Sequence, residues 1–297
     1  MAKKATTTTK AKKTTAKAPS KTAAATATTA KVTTASREGF FTRVITPQVL
    51  VAEAVGTFML AGAAMVAAAD QPLLIGLTMA LIAVAVSGVS GAHVNPAVTF
   101  GLWSMRKLEL VKVPFYWVAQ FIGALAAFLV VGVYSGNTKL DLSSFTSWNW
   151  NIFLLELVGT AIFLFGIAAA LKFAQTTLAR AAVIGLSLTV GLVVAGGFVT
   201  TAATRAQNDV QSGKITSVDS SFAAQGAALN PAVALVQTER DIAAINKQIK
   251  GEQVSQSDAK KESHLTVSTI LGTLVGAAIG GNLFAVIASD AVARRRN

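Results

Sequence analysis

Apolar residues in this 297-residue chain gather into long runs parted by short polar breaks. Six runs approach or exceed the ~20 residues that a bilayer core asks of a helix. They lie at about 44–68, 73–90, 113–134, 151–172, 180–199 and 265–288. Six is even, so both chain ends fall on one side of the membrane. The break Asp70-Gln71-Pro72 is so short that the first two helices must be adjacent and antiparallel.

Two interruptions of the pattern resemble each other. Ser90 to Thr99 reads SGAHVNPAVT, and Gly226 to Ala234 reads GAALNPAVA. In Asn95-Pro96-Ala97 and Asn230-Pro231-Ala232 the asparagine suits a helix N-cap, and the proline suits the first helical position, where a missing N–H costs nothing. A helix start leaves unpaired N–H donors and a partial positive charge. At bilayer depth such backbone survives only when buried in protein or lining a wet cavity. Two copies therefore imply two half-helices whose positive ends meet at mid-membrane.

The order of parts also repeats. Glu53-Ala-Val-Gly56-Thr57 in the first span returns as Glu156-Leu-Val-Gly159-Thr160 in the fourth, each followed by an asparagine-proline-alanine copy. Three spans per repeat is odd, so the halves are inverted relative to each other. The expected architecture is an all-α membrane protein: six transmembrane helices plus two re-entrant half-helices in an inverted repeat. Repeat one covers about 44–134 and repeat two about 151–288. The longer Glu-to-Asn distance in repeat two comes from a polar stretch at 201–226, and a second polar stretch runs over 238–263. Both are expected to be external insertions, with part of 238–250 helical because good helix formers dominate it.

Composition agrees with a membrane protein: 53% of residues are hydrophobic, 13% are charged, and mean hydropathy is +0.55. The absence of cysteine excludes disulfides and thiol chemistry. The formal charge of +12 changes meaning once located, since much of it lies in residues 1–43. That segment, mostly Ala, Thr and Lys, is too poor in apolar surface to offset its ordering entropy and is expected to be disordered. Contact with anionic lipid or nucleic acid, and proteolytic processing, stay open for it. Arg106, Lys107, Lys112, Lys172, Arg180 and the basic C-terminus at 291–297 fall on the same side as the tail, whereas the 201–226 segment is charge-neutral. The basic side reads as cytoplasmic, most simply at the cell (plasma) membrane.

No catalytic constellation is present, so no enzymatic activity, metal site or cofactor is expected. The only histidines, His93 and His264, have no nucleophile or carboxylate at a diagnostic spacing, and His264 reads as a loop residue. Glu53 and Glu156 are the membrane carboxylates. Ionisable groups within spans are functional candidates, which keeps a proton-coupled or anion transporter open, while their matched repeat positions favour structure.

The paired Asn-Pro-Ala copies, with SGAH before the first, resemble the signature of the aquaporin (major intrinsic protein) family over about residues 44–290. The resemblance implies a passive channel for water or small neutral solutes, assembled as a homotetramer with one pore per subunit. It implies that Glu53 and Glu156 brace the two motif-bearing loops, that His93 braces the first, and that Asn95 and Asn230 donate to passing solute. The family usually has an arginine after the second motif; Val233 stands there. By local strings the other outer-filter positions are Ile75, Leu192 and Ala227. So aliphatic a filter leaves three outcomes: a wider path for neutral solutes or gases, a dewetted gate, or an arginine such as Arg205 or Arg240 reaching in from the external segments. The competing class is a non-conducting membrane scaffold whose basic tail tethers nucleic acid or anionic lipid.

Overall fold

Proline at the first helical turn starts five helices of the computed structural model, which describes residues 45–67, 71–136, 138–253 and 262–294. The basic tail expected over 1–43 lies outside the described residues, as do Asp70, Arg295 and Arg296. Nine α-helices occur among the described residues: α1 (Pro47–Val66), α2 (Pro72–Ser90), α3 (Pro96–Ser104), α4 (Val113–Ser135), α5 (Trp150–Phe173), α6 (Thr177–Gln211), α7 (Pro231–Val236), α8 (Ile242–Ile249) and α9 (Val267–Arg294). Where proline is lacking, side chains cap instead. Asn149 accepts from Asn151 N and Ile152 N at the start of α5, and Thr176 from Ala179 N at the start of α6.

Six helices, α1, α2, α4, α5, α6 and α9, are long and apolar enough to cross a membrane. They turn large apolar side chains outward, among them Val51, Leu77, Val118, Leu154, Leu186 and Leu283. Water would make that surface an aggregation hazard, whereas lipid matches it. The chain is an integral membrane protein.

The spans follow the expected pattern, except that two run on: α9 reaches Arg294 where 288 was expected, and α6 differs more. Helix α6 was expected over 180–199 but runs for 35 residues. Its continuation, Thr200 to Gln211, includes Ala202, Ala203, Arg205, Ala206, Gln207 and Gln211, which favour helix whether or not lipid surrounds them. At ~1.5 Å per residue α6 reaches ~52 Å, well beyond a ~30 Å hydrocarbon core. Residues 201–211, expected to belong to a polar loop, are therefore helical. In the second polar stretch α8 lies within the 238–250 segment, and Asp241 Oδ1 caps it by accepting from Ala244 N at 2.9 Å.

Packing follows the repeat. The α1–α4 interface in one half matches α5–α9 in the other, and α2 meets α6 between them. Gly272, Gly276 and Gly280 form a stripe on α9, and a methyl group at any of them would collide with the carbonyls of Phe153, Leu157 or Ala161 on α5. The stripe allows backbone-to-backbone approach where helices gain little from the hydrophobic effect. In the middle of this core lie two non-helical stretches, 91–95 and 227–230. These carry the candidate site.

Candidate functional site

Asn95 and Asn230 cap α3 and α7. Oδ1 of Asn95 accepts from Ala97 N at 2.7 Å and Val98 N at 3.4 Å, and Oδ1 of Asn230 accepts from Ala232 N at 3.0 Å and Val233 N at 3.4 Å. That occupies the acceptor end of each amide and leaves two donors. One donor from each crosses to the opposite copy. Asn95 Nδ2 donates to Leu229 O at 2.7 Å, and Asn230 Nδ2 donates to Val94 O at 2.9 Å. The two half-helix N-termini meet tip to tip, and each carboxamide retains one N–H.

The residues just before the asparagines adopt left-handed backbone, with φ of 42° at Val94 and 52° at Leu229. For a β-branched valine this is a strained conformation of ~1–3 kcal/mol. Both peptide groups of the strained turn are held. Val94 N donates to Glu53 Oε2 at 2.7 Å and His93 N to Glu53 Oε1 at 3.0 Å. In the second copy Leu229 N donates to Glu156 Oε2 at 2.8 Å and Ala228 N to Glu156 Oε1 at 2.7 Å. Both carboxylates are fully buried. A carboxylate at that depth costs several kcal/mol unless its lone pairs are filled, and here backbone donors fill them.

The third partner differs. Glu53 accepts from Gln120 Nε2 on α4 at 2.8 Å. Glu156 instead meets His264 Nε2 at 2.7 Å, and His264 Nδ1 pairs with Glu239. Burial alone would discharge His264, but Glu239 and Glu156 outweigh it and push its pKa up to about 10. His93 makes no ion pair among the described residues. Its Nδ1 lies 3.2 Å from Thr99 Oγ1, and its ring stacks on Tyr116, whose hydroxyl donates to Ser90 O.

Beyond the tips, at the loop-rich end of the bundle, a cavity of about 900 Å³ is lined by Ile75, Leu192, Ala227, Phe128, Arg240 and His264, among others. Three of the four expected filter positions share this wall. Val233 does not: it is 3% exposed, packed in the core on the first turn of α7.

The family model for the major intrinsic protein matches residues 33–208, more than half of the chain. The chain belongs to this family. The aquaporin NIP2-2 of Zea mays is 34% identical over 124 residues, 37% of this major intrinsic protein and 42% of the maize protein. The probable aquaporin TIP1-2 of Oryza sativa subsp. japonica is 40% identical over 82 residues, 27% of this chain and 32% of its own length. The chain thus spans less than half the length of these curated relatives. The X-ray structure of the aquaglyceroporin from Plasmodium falciparum aligns with 80% of this chain and 93% of its own at a TM-score of 0.48 and 22% identity.

Sequence reading of this major intrinsic protein missed three residues that complete its second half. His264, expected in a loop, is 2% exposed and bridges two carboxylates. Glu239 was one charge among several in a polar stretch. Ser263 Oγ donates to Ala234 O and Leu235 O, closing the far end of α7. A signal was available for the histidine: a carboxylate buried at 156 needs more than two backbone donors.

Proposed function

We propose that this major intrinsic protein is a passive transmembrane channel for water and other small uncharged solutes, a homotetramer with one pore per subunit. The observation that carries the reading is the reciprocal pair of amide bonds between the two half-helix tips. It leaves one N–H on each of Asn95 and Asn230 beside two helix N-termini. A water oxygen accepting both would turn its hydrogens outward, which interrupts a proton wire, and cations would meet an unfavourable field. The basic loops Arg106–Lys112 and Lys172–Arg180 support a cytoplasmic placement for the chain ends at the cell membrane, with the loop-rich end outside. Glu53, Glu156 and His93 are read as braces of the two loops, and Ile75, Leu192 and Ala227 as the wall of the outer approach.

Reconstituted vesicles under an osmotic gradient test this in a stopped-flow instrument, with water, glycerol and urea compared in one preparation. The protein should accelerate shrinkage over empty vesicles, and Ala227→Trp should cancel the gain by filling the approach. Rates equal to those of protein-free vesicles would instead favour the non-conducting scaffold. That outcome would turn attention to the basic tail, whose binding to nucleic acid or anionic lipid should fall steeply with salt.

A further inference from the structure

The cavity at the loop-rich end is aliphatic where it nears the tips, and the residue after the second Asn-Pro-Ala copy is a buried valine. A charge nevertheless borders it. Arg240 lines the same wall as Ile75, Leu192 and Ala227, although it comes from a different segment of the chain. We propose that Arg240 is the charge-discriminating residue of this mouth, a fixed cation on the insertion that excludes small cations from the path while neutral solutes pass. The proposal rests on the channel reading above.

Three observations carry it. First, the backbone around Arg240 is held from both sides. Arg240 N donates to Ala223 O at 2.8 Å, Glu239 N to Glu262 O at 2.8 Å, and His264 N to Gln237 O at 2.9 Å. The Glu239 side chain ties the same peptide to His264, and through it to Glu156 at the second tip. A tether of that kind fixes the main-chain position from which the Arg240 side chain extends to the wall. Second, no ion pair among the described residues neutralises the Arg240 guanidinium. The other charged side chain on this wall, His264, is already compensated by its two carboxylates. Third, the alternative arginine is elsewhere. Arg205 is 83% exposed at its side chain, contacts Asp209, and borders different cavities.

The size of the effect follows from Coulomb's law. At an effective dielectric constant of about 20, a unit charge some 8–12 Å from a passing cation changes its permeation by about tenfold or more. Arg240 also borders two smaller cavities, of about 470 and 310 Å³.

The test measures methylammonium uptake and osmotic water flow in the same vesicles, for the full chain and for Arg240→Ala, Arg240→Gln, Arg240→Lys and Arg205→Ala. The ratio of methylammonium to water permeability should rise about tenfold in Arg240→Ala and Arg240→Gln. Arg240→Lys and Arg205→Ala should keep the wild-type ratio. Arg240→Gln preserves most of the stem and stands in for the alanine variant if that one fails to fold, with monodispersity in detergent as the check. A wild-type ratio in water-conducting Arg240→Ala or Arg240→Gln overturns the proposal and leaves the channel reading intact. Wild-type vesicles no faster than empty ones overturn both.

Discussion

The two halves of the molecule solve one problem with different chemistry. In each, a buried glutamate takes the N–H groups of the two residues ahead of the asparagine, at Glu53 with His93 and Val94, and at Glu156 with Ala228 and Leu229. In the first half the remaining partners are neutral, the Ser90 hydroxyl and the amide of Gln120, the latter delivered by a membrane-spanning helix. In the second the remaining partner is His264, delivered by the segment just before α9 and itself tied to Glu239. The first loop is five residues from helix to helix, 91–95, so its neighbours are fixed by the helices that flank it. The second ends a longer connection, 212–230, interrupted by a single 3-10 turn at Ser220–Phe222, and needs an anchor reaching across the insertion. A charged bridge supplies that anchor, at the cost of making the second half depend on a protonation state.

Removing the glutamates tests this asymmetry hardest. Glu156→Ala strands two backbone donors, deprives a protonated imidazole of one of its two carboxylates, and should destabilise the protein by ~3–5 kcal/mol, as breaking a buried ion pair does. Glu53→Ala strands donors without a buried opposite charge and should cost ~2–3 kcal/mol. Thermal unfolding in detergent reads both, and equal losses would break the comparison. Next come the third partners. His264→Ala should cost ~3 kcal/mol and Gln120→Ala about 1–2 kcal/mol, and the reverse order would show that the histidine bridge is not the stronger anchor.

The protonation state offers a third test. The pKa of His264 is raised in the folded protein to about 10, above the ~6.5 of an unfolded chain. Its contribution to stability is therefore complete below ~6.5 and declines above it. It is gone once pH has risen through about 10. A melting series across that range should show the decline in the wild type and lose it in His264→Gln; a decline surviving the substitution assigns it to another group. The smallest effect is expected at Ser263, where alanine removes the hydroxyl bonded to two α7 carbonyls. That should cost about 1 kcal/mol and shift unfolding without touching the first half.

How far the sequence could be read follows the range of the interactions. The six spans rest on runs of apolar residues, and the two helix starts on an Asn-Pro step, so both are local and both were legible. Glu53 and Glu156 could be named because they recur at matched places in the repeats. The end of α6 was misplaced because hydropathy stops reporting where the helix leaves lipid, while helix propensity continues to Gln211. His264 does lie in a loop, just before α9, but its bridging role was hidden because its partner lies 108 positions away and the spacing carries no pattern. Val233 was assigned to the wall by its place after the motif. One turn into α7 its side chain faces the core, and the wall there is completed by a residue from the next segment.

The crossed amide bonds also constrain how the protein is made. Asn95 and its acceptor Leu229 are 134 positions apart, and Asn230 and Val94 are 136 apart. While a ribosome is still between them, the first half-helix has entered the membrane with its amide and the Val94 carbonyl lacking these partners. Lipid offers no substitutes. The growing chain must therefore shelter that tip, in the translocon or in a wet crevice among its own early helices, until the second copy emerges and the two halves fasten to each other.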